Sequence, residues 1–342
     1  MPQHPRLTTP LVGHEGNVAW FREAFVRGRL PHALLLRGPK GVGKATFAYH
    51  AARSLLREPQ TCETFFQDDP QDPLFRRVGA RSHADLFVME QELREDGKLS
   101  REIPIASARS LKASFARTAM EGGWRVGIVD SVDALTHQGA QALLKLLEEP
   151  PQKCCLFLVH HGAPLLATIA SRCQTLAFDG LVDQDARRVM ERQGTDASFV
   201  TPRLLTLFEG SPGLVMAFVD EMGNACIQDF DALIEAYGSG RAPSFTPFLD
   251  AHFPARSTNL MGKVDVFLEY LMRWVRASLQ ETLLGTASGS TAAFMGRRPL
   301  DAWSQTWSTL QRLKSEGTRL NFDPRHVLIL SLESFLNGAP SP

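Results

Sequence analysis

The residues best placed to do chemistry form one short run: Gly38, Pro39, Lys40, Gly41, Val42, Gly43, Lys44 and Ala45. Glycines at this spacing let backbone N–H groups turn inward around phosphate oxygens, and the lysine that follows reaches the β- and γ-phosphates of a nucleotide. The apolar run Ala33–Arg37 precedes the loop, and helical spacing from Thr46 to Leu56 follows it. That strand–loop–helix context is what a P-loop requires, and the helix N-terminus adds its partial positive charge to the phosphate site. One position departs from the pattern. P-loops place Ser or Thr after the lysine to hold Mg2+, and here Ala45 stands there. Thr46 comes one residue late, about 100° further round the helix, so its hydroxyl points elsewhere. Magnesium binding is therefore in question, and the nucleotide-binding set is residues 38–45 with Thr46 and Asp130.

Asp130 ends the apolar run Val126-Gly127-Ile128-Val129. An acidic residue at the end of a buried strand beside a P-loop supports Mg2+ through water. With Ala45 upstream, capping the strand is an equally good reading of it. Hydrolysing members place a glutamate next to activate water; here Ser131 follows, and Asp133 is no obvious substitute. Arg172, between Ser171 and Cys173, lies after a helix and before a strand, where an arginine is ordinarily a surface or ion-paired residue. Zinc needs about four Cys or His ligands at tight spacing, and Cys62 has no cysteine companion nearby, so no zinc site is expected. His160-His161, without acidic or cysteine neighbours in the sequence, reads as structural or solvent-facing.

These residues must be held by a sheet. Apolar runs at Ala33–Arg37, Asp85–Met89, Val126–Val129, Cys154–Val159 and Thr175–Phe178 alternate with helical spacing at Thr46–Leu56, Ile105–Ala119 and Gln138–Glu149. Alternation of this kind gives a parallel sheet covered on both faces. Residues 58–81 lack periodicity and read as a loop or insertion. Beyond Phe178 the signals are helical only: Gln184–Gln193, Pro202–Leu207, Pro212–Glu221, Lys263–Leu284, Leu300–Leu313 and Arg325–Leu336, with Gly285–Ser290 as a flexible connector. The expected class is α/β followed by all-α, in three domains: 1–178, 179–222 and 223–342.

The 342 residues suit two or three domains. Lys plus Arg and Asp plus Glu number 37 each, so no chain-wide basic field exists for nucleic acid, and any DNA contact is local or shared with partners. No apolar stretch is long enough for a membrane span, and residues 1–10 do not form a secretory signal. An odd number of cysteines, with Cys154-Cys155 adjacent in a strand, argues against a disulfide framework. A cytoplasmic protein is expected.

Taken together, the motifs resemble the clamp-loader subunits of bacterial DNA polymerase III, members of the AAA+ family. The segments that carry the likeness run in order: Gly13-His14 with Arg29-Leu30-Pro31-His32-Ala33, the P-loop, Ile128-Val129-Asp130, the stretch from Gln141 through Leu143-Leu144-Lys145 to Leu147-Glu148-Glu149-Pro150-Pro151, and Ser171-Arg172-Cys173. They span about residues 10–178. Gly210-Ser211-Pro212-Gly213 resembles the turn of the family's lid domain, which gives 179–222 as lid and 223–342 as helical collar. The resemblance implies a hetero-oligomeric, pentameric loader that opens a ring-shaped sliding clamp and places it on primed DNA, with gamma/tau and delta subunits as partners. It also implies that Arg172 projects into the ATP site of a neighbouring subunit, where a guanidinium offsets charge developing on the γ-phosphate.

The family's zinc-binding cysteines would fall near residues 57–80, where only Cys62 stands, and the second-sensor arginine of active motors would fall near Gly213. The zinc module is thus lost or remodelled, and the missing second-sensor arginine, with Ala45 and Ser131, implies a non-motor, stator-type subunit with little hydrolysis of its own. The alternatives are an active gamma/tau-like motor and an AAA+ adaptor without a replication role. Lys44 and the glycines are able to hold ATP or ADP without turnover, but a vacant or occluded loop fits the sequence equally well.

Overall fold

The computed structural model describes residues 3–57, 64–91, 100, 102–121, 123–195, 200–257, 259–320 and 322–338. Cys62 lies outside them. The described chain divides into two units: residues 3–195 with Glu209–Gly213, and residues 200–208 with 214–338.

The first unit is built on one sheet of five parallel strands, β1 (Ala33–Arg37), β2 (Leu86–Glu90), β3 (Arg125–Asp130), β4 (Cys154–His160) and β5 (Gln174–Ala177), in the order β2-β3-β4-β1-β5. All seven residues of β4 are buried, as a central strand covered on both faces must be. The period-2 alternation of a strand sends Leu34, Leu36, Cys155, Phe157 and Val159 to one core, with Phe21, Phe47 and Leu55. Ala33, Leu35, Cys154, Leu156 and Leu158 face the other, with Leu111, Phe115, Leu143 and Leu147.

Helices α1 (Glu15–Val26), α2 (Lys44–Leu56), α3 (Pro73–Gly79), α4 (Ile105–Phe115), α5 (His137–Glu148), α6 (Ala167–Ala170) and α7 (Asp183–Arg192) complete the unit. α5 begins where the Thr136 hydroxyl accepts the Gly139 N–H at 3.1 Å, and it stops before Pro150-Pro151, which cannot continue a helix. This is the P-loop α/β core that the AAA+ resemblance implies. Two differences from the sequence reading stand out. The helix α1 was not marked by the residue pattern. The supposed loop 58–81 contains α3, started by Asp72, whose carboxylate accepts the Leu74 N–H at 2.8 Å, and by Pro73 in the first turn. Seven residues are too few to establish a period.

The second unit is all helical: α8 (Pro202–Leu207), α9 (Pro212–Met222, whose first two residues belong to the sheet unit), α10 (Asn224–Gly238), α11 (Thr246–His252), α12 (Leu260–Leu283), α13 (Gly289–Met295), α14 (Leu300–Leu320) and α15 (Pro324–Asn337). Its core is aromatic, with Trp274 against Phe335 at 5.3 Å and Phe294 against Trp303 at 5.2 Å between ring centres. The expected connector at 285–290 is shorter than its composition suggested, because Gly289 already begins α13. Among the described residues no helix is long and apolar enough to cross a membrane. The α/β-then-all-α class is the one observed.

Candidate functional site

In a parallel sheet all strands end at the same edge, and that edge is where an open α/β sheet offers a ligand site. The register places Arg37 of β1 opposite His160 of β4, and Asp130 of β3 opposite Val159. The P-loop, Asp130 and the residues after β4 therefore emerge side by side.

Each carbonyl from residue 38 to residue 42 is taken by a donor within the unit. Lys44, 2% exposed, folds its amine back onto its own loop, donating to Gly38 O at 2.6 Å and to Pro39 O. Ser211 donates its hydroxyl to Lys40 O at 2.6 Å, and the Gly213 N–H donates to Gly41 O at 3.0 Å. The His14 ring donates through Nε2 to Val42 O at 2.8 Å and packs edge-on against Phe178. Burial keeps the His14 ring below its ordinary pKa, so it holds the carbonyl in its neutral form. Burial also pulls Lys44 down to about 8, with Asp130 and Asp133 acting in the opposite sense. To meet a phosphate, Lys44 must leave these two carbonyls.

Two glycines are required by close approach. A Cβ on Gly38 would lie 2.0 Å from Phe178 O, because the exit of β1 runs directly beside the chain leaving β5. A Cβ on Gly213 would lie 2.8 Å from both Cα and O of Gly41. Gly213 therefore meets the P-loop through backbone alone.

The residues present do not fit a magnesium site of the P-loop kind. Ala45 offers no hydroxyl and packs against the apolar core, while Thr46 is half-buried in the first turn of α2. Oδ1 of Asp130 lies 3.3 Å from Nε2 of His161, so its carboxylate already has a side-chain partner. Asp133 is a clip. It accepts the Ser131 hydroxyl, and its other oxygen accepts the N–H groups of His161 at 3.2 Å and Ala163 at 3.1 Å. Burial pushes the Asp133 carboxyl up, but these bonds outweigh it and hold the group below its usual range. A carboxylate so occupied is a poor general base.

The sequence contained no local sign of the His161–Asp130 contact, since the acid comes from a neighbouring strand. Adjacency of β3 and β4 was the missing information. Among the described residues no cluster of His, Cys, Asp and Glu is arranged to hold a metal ion.

Arg172 is elsewhere. It precedes β5, which runs parallel to β1, so it lies at the amino-terminal edge of the sheet, whereas the P-loop leaves the carboxyl-terminal edge. Its guanidinium lies 3.0 Å from Oε1 of Glu148 through Nη2 and donates to Thr168 O at 3.0 Å through Nη1. About a third of the side chain remains exposed.

Residues 13–181 match the family described as DNA polymerase III, delta subunit. The DNA polymerase III subunit delta′ of Pseudomonas aeruginosa is 35% identical over 148 residues, covering 43% of this chain and 43% of that protein. The subunit delta′ of Bacillus subtilis is 32% identical over 179 residues, covering 48% and 50% respectively. The chain thus spans about half the length of the curated relatives it matches. Among solved structures, a DNA polymerase III gamma subunit-related protein from Thermotoga maritima is 17% identical with a TM-score of 0.47, covering 93% of this chain and 99% of that one.

Proposed function

We propose that this chain, whose residues 13–181 match the family described as DNA polymerase III, delta subunit, and resemble delta′ subunits, is a non-motor subunit of a clamp loader and lends Arg172 to the ATP site of a neighbouring subunit. The observation that carries this reading is the placement of Arg172 at the sheet edge opposite the chain's own P-loop. An arginine there serves a phosphate bound by another chain. The chain's own site lacks a hydroxyl at Ala45, pairs Asp130 with His161, and commits Asp133 to backbone N–H groups. Those features favour a stator over a motor.

In this role the chain works in a hetero-oligomer with gamma/tau and delta subunits, helping to place the sliding clamp on primed DNA in the cytoplasm. Residues 179–222 serve as lid and 223–342 as collar. ATP or ADP, where bound, sits in the loop 38–46 without turnover and without Mg2+. Arg172 adds positive charge where negative charge grows on the γ-phosphate of the neighbour, a contribution worth about 10³–10⁵ in rate at an arginine-finger site.

The test is ATP turnover by the reconstituted loader. Arg172→Ala is expected to remove much of the DNA-stimulated rate while the assembly still elutes intact on gel filtration. An unchanged rate would sink the reading. Robust Mg2+-dependent hydrolysis by the isolated chain, abolished by Lys44→Ala, would instead establish the gamma/tau-like motor.

A further inference from the structure

We infer that Glu148 is a positioning residue for Arg172: its carboxylate fixes the direction in which the guanidinium meets a nucleotide on a neighbouring subunit. The inference rests on the function proposed above and names a residue through which it operates. An arginine on an exposed surface has four freely turning side-chain bonds, and an unanchored guanidinium would sample many directions. Here two different nitrogens are anchored, Nη2 by Glu148 at 3.0 Å and Nη1 by the Thr168 carbonyl at 3.0 Å. Anchors on both terminal nitrogens set the plane of the group as well as its position, and the guanidinium's remaining N–H donors stay available for phosphate oxygens.

Both anchors stand on fixed elements. Glu148 is the last residue of α5, whose final turn is pinned by buried Leu146 and Leu147. Thr168 belongs to α6, held by fully buried Ile169, and the Arg172 N–H donates to Ile169 O at 3.1 Å. The mobile group is thus tied to two rigid ones. Because the ion pair is solvent-exposed, it contributes little to stability. Its removal should leave the fold intact and change only where the arginine points. Misplacing a reacting contact by about 1 Å can cost 10²-fold in rate, so a visible kinetic effect is expected.

The experiment is steady-state and single-turnover ATP hydrolysis by the complete loader, carrying this chain as wild type, Glu148→Ala, Glu148→Gln, Arg172→Ala or the double variant. Gel filtration and thermal melting check assembly and folding of each. Glu148→Ala should lower kcat by about tenfold with KM for ATP unchanged, and Glu148→Gln, which keeps an acceptor oxygen, should recover part of the loss. The double variant should be no slower than Arg172→Ala alone. If Arg172→Ala slows the loader and Glu148→Ala does not, the positioning role is overturned while the proposed function stands. A faster Glu148→Ala loader would also overturn it, since the carboxylate would then compete with phosphate. If Arg172→Ala itself has no effect, both fall together.

Discussion

At Gly213 the contact with the P-loop is made by backbone alone, its N–H on Gly41 O at 3.0 Å and its Cα side facing Gly41 without room for a methyl group. Gly213→Ala must push the two segments apart. Overpacking of this kind costs about 1–3 kcal/mol, and thermal melting should register a drop of several degrees. A melt identical to wild type would mean the two segments separate freely. The phosphate loop itself was legible from residues 38–46, because its chemistry is written in consecutive residues. Its partners Ser211 and Gly213 were not, since the Ser211–Lys40 bond joins residues 171 apart in sequence. Glu148 was visible as part of a motif, but its carboxylate had no assigned use until Arg172 was found beside it.

The element that most changed from expectation is the stretch after α2. Asp68 lies buried against that helix, with Oδ2 2.6 Å from Arg53 Nε, Arg53 Nη2 and His50 Nδ1, while Arg57 pairs with Asp72 at 2.9 Å. Burial pushes the Asp68 carboxyl up, yet His50 and Arg53 outweigh it and hold the group below its usual range. Charge therefore fastens to α2 a segment that composition alone presented as loose, and α3 follows from it. Asp68→Ala leaves Arg53 buried without its counter-charge, a change that costs about 3–5 kcal/mol. Urea denaturation should show the loss as a lower midpoint. A shift under half a kcal/mol would mean solvent replaces the carboxylate. The strands were legible because short apolar runs bounded by turn residues are local signals. The seven-residue α3 and α11 were not, because what selects them is a cap and a few buried side chains.

For the whole molecule, the titrating groups divide by unit. In the sheet unit His4, His14 and His83 all have pKa values lowered by burial. A lowered folded pKa means the unfolded chain binds the proton first, so stability held above about pH 6.5 is lost as the pH falls toward the folded values. In the helical unit Glu269 is raised by burial but lowered further by Lys314 and Arg273, so its contribution persists until the pH drops below the ordinary carboxylate range. Asp231 is raised by burial, and its protonation favours folding as the pH falls. Acidification from pH 7.5 to 5.5 should therefore lower the urea midpoint of the sheet unit more than that of the helical unit. Fluorine-labelled tryptophan signals separate the two, Trp20 and Trp124 reporting one, Trp274 and Trp303 the other. Equal shifts would contradict the assignment, and His14→Gln should reduce the sheet unit's shift.

By itself the sequence determined the P-loop, the alternating strands and helices, the all-helical remainder, and the loss of the magnesium hydroxyl at Ala45. Each of these is fixed by residues close together along the chain, where backbone geometry and hydrophobic period act directly. Only the tertiary structure decided which groups meet. The order β2-β3-β4-β1-β5 brings His161 to Asp130, and the parallel direction of β5 sends Arg172 to the edge away from the P-loop. Each face of that sheet is closed by its own apolar core, assembled from residues far apart along the chain. That is a non-local requirement, and no window of the sequence contains it.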